Sequence, residues 1–148
     1  MAKRSIPILT LIAVEAITAS LGIISGIVLL SDPSGDTMGM GFMIPMIPLI
    51  SDFTAVGAWL LIVFGIFPGV LAYGLWAGRS WSLFGSFFLG AIEIVWIAVQ
   101  VILLYSVGFS IWQAIIPLMA VFAIFMFFAP GIRAHFPYWQ RKRLADRR

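Results

Sequence analysis

Four long apolar stretches dominate the chain: Ile6 to Leu30, Phe53 to Ala77, Trp81 to Tyr105 and Ile111 to Ala129. Each reaches or nearly reaches the roughly 20 helical residues that cross a bilayer. Within them only Glu15 and Glu93 carry charge. Four runs of this length with only two charges are not a soluble pattern, and the expected fold is all-α: a polytopic membrane protein built as a four-transmembrane-helix antiparallel bundle. Composition agrees, with 62% hydrophobic and 10% charged residues in 148. Disorder and nucleic-acid binding are thereby excluded. The lack of cysteine removes a disulfide scaffold, thiol nucleophiles and Cys-ligated metals.

Charge sets the expected orientation. The basic residues are Lys3 and Arg4 before the first stretch, Arg79 between the second and third, and Arg133, Arg141, Lys142, Arg143, Arg147 and Arg148 after the fourth. The other two connections, 31–52 and 106–110, have none, so the positive-inside rule places both termini in the cytoplasm. Lys3-Arg4 and the small residues Ala19-Ser20 resemble parts of a signal peptide, but Glu15 would sit in its apolar core, and the segment is read as a retained helix. Trp76 and Trp81 flank one turn, Tyr105 and Trp112 another, as amphipathic rings do at headgroup depth. Pro68 and Pro117 are expected to kink their helices. Residues 1–129 thus form one membrane domain, with an outer loop at 31–52. Residues 130–148 form a basic tail whose Phe136-Pro137-Tyr138-Trp139 is expected to lie along the inner surface, with Arg133, Arg141, Lys142 and Arg143 touching lipid.

In lipid, helices associate through close packing and polar contacts, so small residues report the interfaces. Gly22 and Gly26, Gly65 and Gly69, and Ser86 and Gly90 supply three such stripes. At about 100° per residue Glu15 shares a face with Gly22 and Gly26, and Glu93 with Ser86, Gly90 and Gln100. Both carboxyls should point into the protein near mid-membrane. No Lys, Arg or His in the spans can neutralise them, so each is expected to be protonated or strongly hydrogen-bonded. They form a proton or cation site with Gln100, or they tie helices together through hydrogen bonds to Thr18, Ser86 and Gln100.

The outer loop opens with the turn-forming Asp32-Pro33-Ser34-Gly35-Asp36 and continues through Met38, Met40, Met43 and Met46, broken by Pro45 and Pro48. It is expected to be an ordered cap. Thioethers suit Cu(I), but with no His or Cys nearby an apolar packing role ranks above a copper site, and no cofactor is expected.

Ser25-Gly26-Ile27-Val28-Leu29-Leu30 leading into Asp32-Pro33-Ser34-Gly35, then Gly39-Met40, Asp52-Phe53 and Trp96-Ile97-Ala98-Val99-Gln100, resemble a widespread group of small four-helix integral membrane proteins of bacteria and archaea. The resemblance covers roughly residues 20 to 118. It implies the four-helix architecture and the cytoplasmic membrane of a bacterium or archaeon, and it carries over no catalytic residue.

Catalysis by this chain is not expected. The one histidine, His135, lies beyond the last span, and no metal triad, nucleophile with its base or phosphate-cradling loop can be assembled. Two classes of function remain. The favoured expectation is a small non-catalytic subunit that packs on a larger membrane complex. The alternative is a homo-oligomeric proton-coupled transporter or channel protomer using Glu15 and Glu93. Partners in either case are lipids and other membrane subunits or copies of the chain, not nucleic acid.

Overall fold

A computed structural model describes residues 6–47, 50–103, 111–133, 136 and 145. Among them all regular structure is helical. Helix α1 (Ile6–Ser31), α2 (Thr54–Trp76) and α3 (Ser80–Leu103) are long and apolar enough to cross a membrane. The fourth, α4 (Trp112–Phe128), has 17 residues and would span only about 25 Å. A short α5 (Pro130–Arg133) follows it.

Local chemistry explains the boundaries. Pro33 disfavours helical geometry at Asp32 and stops α1. Asp52 Oδ1 accepts the Thr54 N–H at 2.8 Å and starts α2. At its other end the Arg79 N–H donates to Gly74 O at 2.8 Å and the Gly78 N–H to Leu75 O at 3.1 Å. This Schellman closure needs a left-handed residue, and Gly78 supplies it with φ 68°. The Ser82 hydroxyl then donates to Arg79 O at 2.6 Å, at the start of α3.

Pro68 does not break α2. Over Leu60–Ile66 the helix widens into π geometry, and the Phe67 N–H donates to Ile62 O, five residues back. The physical reason is local. Proline cannot donate to the Phe64 carbonyl four residues before it and crowds it sterically, and a wider turn relieves both. The freed carbonyl region faces α1, where Gly22 has no side chain to intervene.

Small residues set the α1–α2 contact. Gly57 faces Leu29, Gly26 faces Leu61, Gly22 faces Phe64 and Gly65, and Gly69 faces Ala19, so the two helices run in opposite directions at close range. A Cβ on Gly26 would sit 2.6 Å from the Leu61 nitrogen, which leaves no room for one. In turn α2 packs on α3, α3 packs closely on α4, and α1 touches α4 more lightly. Gly90 is the close point of the α3–α4 pair, where a Cβ would lie 2.8 Å from Ala120 O.

At the end near Gly78, Ile8, Leu11, Leu75, Leu83, Ile132 and Phe136 form a buried apolar cluster. At Phe136 the structure departs from the expected surface-lying tail, because this ring is fully buried; Pro137, Tyr138 and Trp139 lie outside the described residues. Pro130 starts a turn after α4, and the Phe136 N–H donates to Arg133 O at 3.2 Å, which brings the ring back over the helix ends. Arg133, partly buried, folds back on the end of α4: its Nε donates to Phe127 O at 2.6 Å, and the guanidinium lies 4.9 Å from the Phe127 ring centre. Arg141, Lys142 and Arg143 lie outside the described residues.

Candidate functional site

Above the apolar cluster the interior becomes polar within one helical turn. On α1, Leu11 is followed four residues later by Glu15; on α3, Leu83 is followed three residues later by Ser86. Glu15 is 2% exposed and Ser86 fully buried. Glu93 lies two turns beyond Ser86 and is 4% exposed. The two acids are within electrostatic reach of one another, and Ser86 lies beside the Glu15 carboxyl. Helices α1 and α3 therefore meet in the interior through these side chains, although each packs its backbone mainly on other helices.

Two atoms of the group lack a hydrogen bond of good geometry, although Ser86 interacts with the Glu15 carboxyl. Glu15 Oε1 and Ser86 Oγ are both buried with no hydrogen-bond partner among the described residues. Buried polar atoms are normally paired, and an orphan in a membrane interior costs more than one near water. Beside Glu93 lies a cavity of about 90 Å³, lined also by Thr18, Ser25, Phe64, Trp96 and their apolar neighbours. That space is several times what a single water needs, roughly 10–15 Å³ on the same kind of measure. The cavity wall thus carries one carboxyl, Glu93, and two hydroxyls, Thr18 and Ser25, with Glu15 and Ser86 buried behind it, around a space able to hold a small hydrated ion or a short water chain.

Gln100 is placed elsewhere. It lines a second cavity of about 200 Å³, together with Met40, Met43, Ile50, Phe53 and Trp96. The outer loop roofs this cavity. Of the four loop methionines, Met40 and Met43 face it, whereas Met38 and Met46 are exposed. The roof is fixed by Asp32, whose Oδ1 accepts the Ser34 hydroxyl at 2.5 Å and whose Oδ2 accepts the Thr37 N–H at 2.7 Å. These bonds, the Ser34 hydroxyl first, hold the Asp32 carboxyl down at about 2. The Thr54 N–H similarly lowers Asp52. The Phe53 N–H donates to Pro33 O at 2.8 Å and joins the loop's two ends.

Ser25 and Trp96 were not singled out from the sequence as site residues. Their signal was present: Ser25 follows Thr18 by seven residues and Trp96 follows Glu93 by three, spacings that keep each pair on one helix face. Trp96 also completes an aromatic group, with ring centres 6.0 Å from both Trp59 and Phe64. Gly22, Gly26, Gly65 and Gly90 lie at tight helix contacts, whereas a Cβ on Gly69 would meet only Ala19 Cβ, at an ordinary 3.8 Å. Among the described residues no cluster of His, Asp and Glu is suited to a metal ion.

Comparison with protein-family profiles, with curated proteins and with solved structures finds no match. The functional reading accordingly rests on the geometry of the interior.

Proposed function

We propose that the chain is a multi-pass protein of the cytoplasmic membrane, a four-helix antiparallel bundle with both termini in the cytoplasm, whose interior acidic site binds a proton or a small monovalent cation in a carrier cycle. The observation that carries this reading is the burial of Glu15 and Glu93 within electrostatic reach of one another, with Glu93 on the wall of a cavity and, among the described residues, no hydrogen-bond partner for Glu15 Oε1 and Ser86 Oγ. Carboxyls that served only to tie helices together would be expected to leave no buried oxygen orphaned, because a half-satisfied polar network is worse than an apolar core; here Ser86 interacts with the Glu15 carboxyl, yet Glu15 Oε1 and Ser86 Oγ lack a hydrogen bond of good geometry. No basic residue lies in the spans to balance the charge. Compensation must then come from protons or a cation. Hard oxygen donors on the cavity wall, the Glu93 carboxyl with the Thr18 and Ser25 hydroxyls, suit either one, and Glu15 lies within electrostatic reach of Glu93. The apolar cluster around Phe136 seals one end of the interior, and a site closed at one end suits a carrier better than a continuous channel. Both acids lie within a single bundle, so the path needs no oligomer.

Purified protein in liposomes tests the reading. With an imposed gradient, proton uptake (by an internal pH dye) or uptake of radiolabelled sodium should exceed that of empty liposomes. Glu93→Gln should keep the helical fold and abolish the uptake. Liposomes as tight as protein-free ones, or a Glu93→Gln variant as active as the parent, would overturn it.

One observation favours a second reading, a subunit of a larger membrane complex. A groove of about 390 Å³ on the outward side of α2 and α3, lined by Trp59, Phe88, Ile92, Val95, Trp96 and Val99, is wholly apolar and shaped to receive another helix's side chains. Extraction from native membranes in mild detergent distinguishes the two, since this reading requires a stoichiometric co-purifying membrane protein.

A further inference from the structure

One residue, Trp96, lines the acidic cavity, the loop-roofed cavity and the outward groove. We propose that Trp96 is the gate through which the acidic site is reached from the loop end, with the loop-roofed cavity as its vestibule. This rests on the acidic-site reading and specifies its access route.

The geometry points to this route step by step. On α3, Glu93, Trp96 and Gln100 follow at intervals of three and four residues, so they stack along one face with rises of about 4.5 and 6 Å. Across from them on α2, Leu60 belongs to the acidic cavity and Val56, one turn away, to the vestibule. The two spaces thus lie end to end along the same pair of helices, and Trp96 is their common wall. Beyond Glu93 in the other direction stand Glu15 and Ser86, and then the buried cluster of Leu11, Leu83 and Phe136. Among the described residues, the loop end is therefore the side of the acidic cavity that this cluster does not close.

A gate needs somewhere to move. The groove bounded by Trp59, Phe88 and Val95 adjoins the Trp96 ring and is large enough, at about 390 Å³, to take a displaced indole. Trp96 is only partly buried: it packs on the cluster of Phe64, Leu71 and Leu89, with Trp59 and Phe64 meeting its ring at tilted angles of 32° and 46°. The π-helical segment Leu60–Ile66 carries Phe64 and forms the facing wall. Such segments recur where a helix departs from regular packing for function. The vestibule contributes one polar side chain, Gln100, whose amide can exchange hydrogen bonds with a hydrated ion, and the loop held by Asp32 shields it from lipid.

The chain has no cysteine, so single-cysteine reporters read this directly. Met43→Cys reports the vestibule and Ser25→Cys the acidic cavity. The probe is a small cationic methanethiosulfonate, applied to purified protein in detergent. Met43→Cys should react rapidly whether Trp96 is present or replaced. Ser25→Cys should react slowly behind Trp96 and faster by about tenfold or more in Trp96→Ala, because a site reached only through a minor open state of roughly 10% or less reacts in proportion to that population. Trp96→Phe, a milder change that retains a ring, should fall between; it decides the matter if circular dichroism shows Trp96→Ala to be misfolded. Equal Ser25→Cys rates with Trp, Phe or Ala at position 96 would overturn the gate, whether those rates are all fast or all slow. Thiol modification requires no ion movement. A gate seen by cysteine reactivity with no Glu93-dependent uptake would refute the carrier and leave the partition standing, while Glu93-dependent uptake with an insensitive Ser25→Cys would do the reverse.

Discussion

Replacing Gly22 by alanine adds one methyl group at the tightest point of the α1–α2 contact. The new Cβ would fall against the Phe64 carbonyl carbon and oxygen and lie 2.5 Å from the Gly65 nitrogen. Ordinary carbon contacts are about 3.5–4.0 Å, so the helices must separate locally by roughly 1 Å, and a gap of that size forfeits a quarter to a half of each dispersion contact it opens. Backbone cannot swing aside as a side-chain tip can. The same displacement disturbs Gly26 against Leu61 and Gly65 against Ile23, which share the interface. Overpacking typically costs 1–3 kcal/mol, and contact with backbone puts this site near the upper limit, about 3 kcal/mol. That is roughly a hundredfold in the folded-to-unfolded ratio. Gly69→Ala is the internal control, since its Cβ would meet only Ala19 Cβ at 3.8 Å. It should be neutral or stabilising by up to about 1 kcal/mol through helix propensity. Unfolding both variants by SDS titration in mixed micelles, followed by circular dichroism, gives the comparison. If Gly22→Ala and Gly69→Ala agree within about 0.5 kcal/mol, the spread expected of substitutions that touch no special feature, the argument that Gly22 is required for helix approach is wrong.

Three further outcomes are expected. Phe136→Ala should destabilise the fold by about 3 kcal/mol in the same titration, as large-to-small changes in a core do; no effect would return the tail to the membrane surface. For Asp32, bonds from Ser34 and Thr37 lower the carboxyl from 3.8 to about 2. The order that this carboxylate gives the loop is therefore complete above the ordinary value and is lost as pH falls through the lowered one. An NMR titration of Asp32 should find its midpoint near 2, and a midpoint at the ordinary value would show that the loop bonds do not form. For the orientation, a cysteine at Ser34 should react with an impermeant thiol reagent applied to intact cells and one at Ala145 should not; the opposite pattern would invert the topology.

The helical spans were legible in the sequence because apolar run length is a local property. The expected 6–30, 53–77 and 81–105 differ from α1, α2 and α3 by at most two residues at the described ends. The inward placement of Glu15 and Glu93 was also legible, since helical periodicity puts them on faces with small residues. Gln100 shows where periodicity stops helping. It shares a face with Glu93, yet seven residues of rise carry it about 10 Å along the helix and into the cavity under the loop. A shared face does not make a shared site. Phe136 shows the same limit from the other side, because a ring beside basic residues has the same sequence signature whether it lies on a membrane or folds back over the helix ends.

By itself, the sequence determined that the chain is helical, where its apolar helices run, and that two acids without countercharge lie inside them. These follow from composition, period and run length, each set by residues close together along the chain. Only the tertiary structure decided which helices touch and which polar groups meet. Gly22 faces the carbonyl that Pro68 leaves without its donor, Glu15 meets Ser86 across the interior, and Trp96 stands between two cavities. Those relations depend on the rotation and register of one helix against another. In lipid they are fixed by close packing of small residues rather than by burial of apolar surface from water, and hydropathy carries no record of that packing.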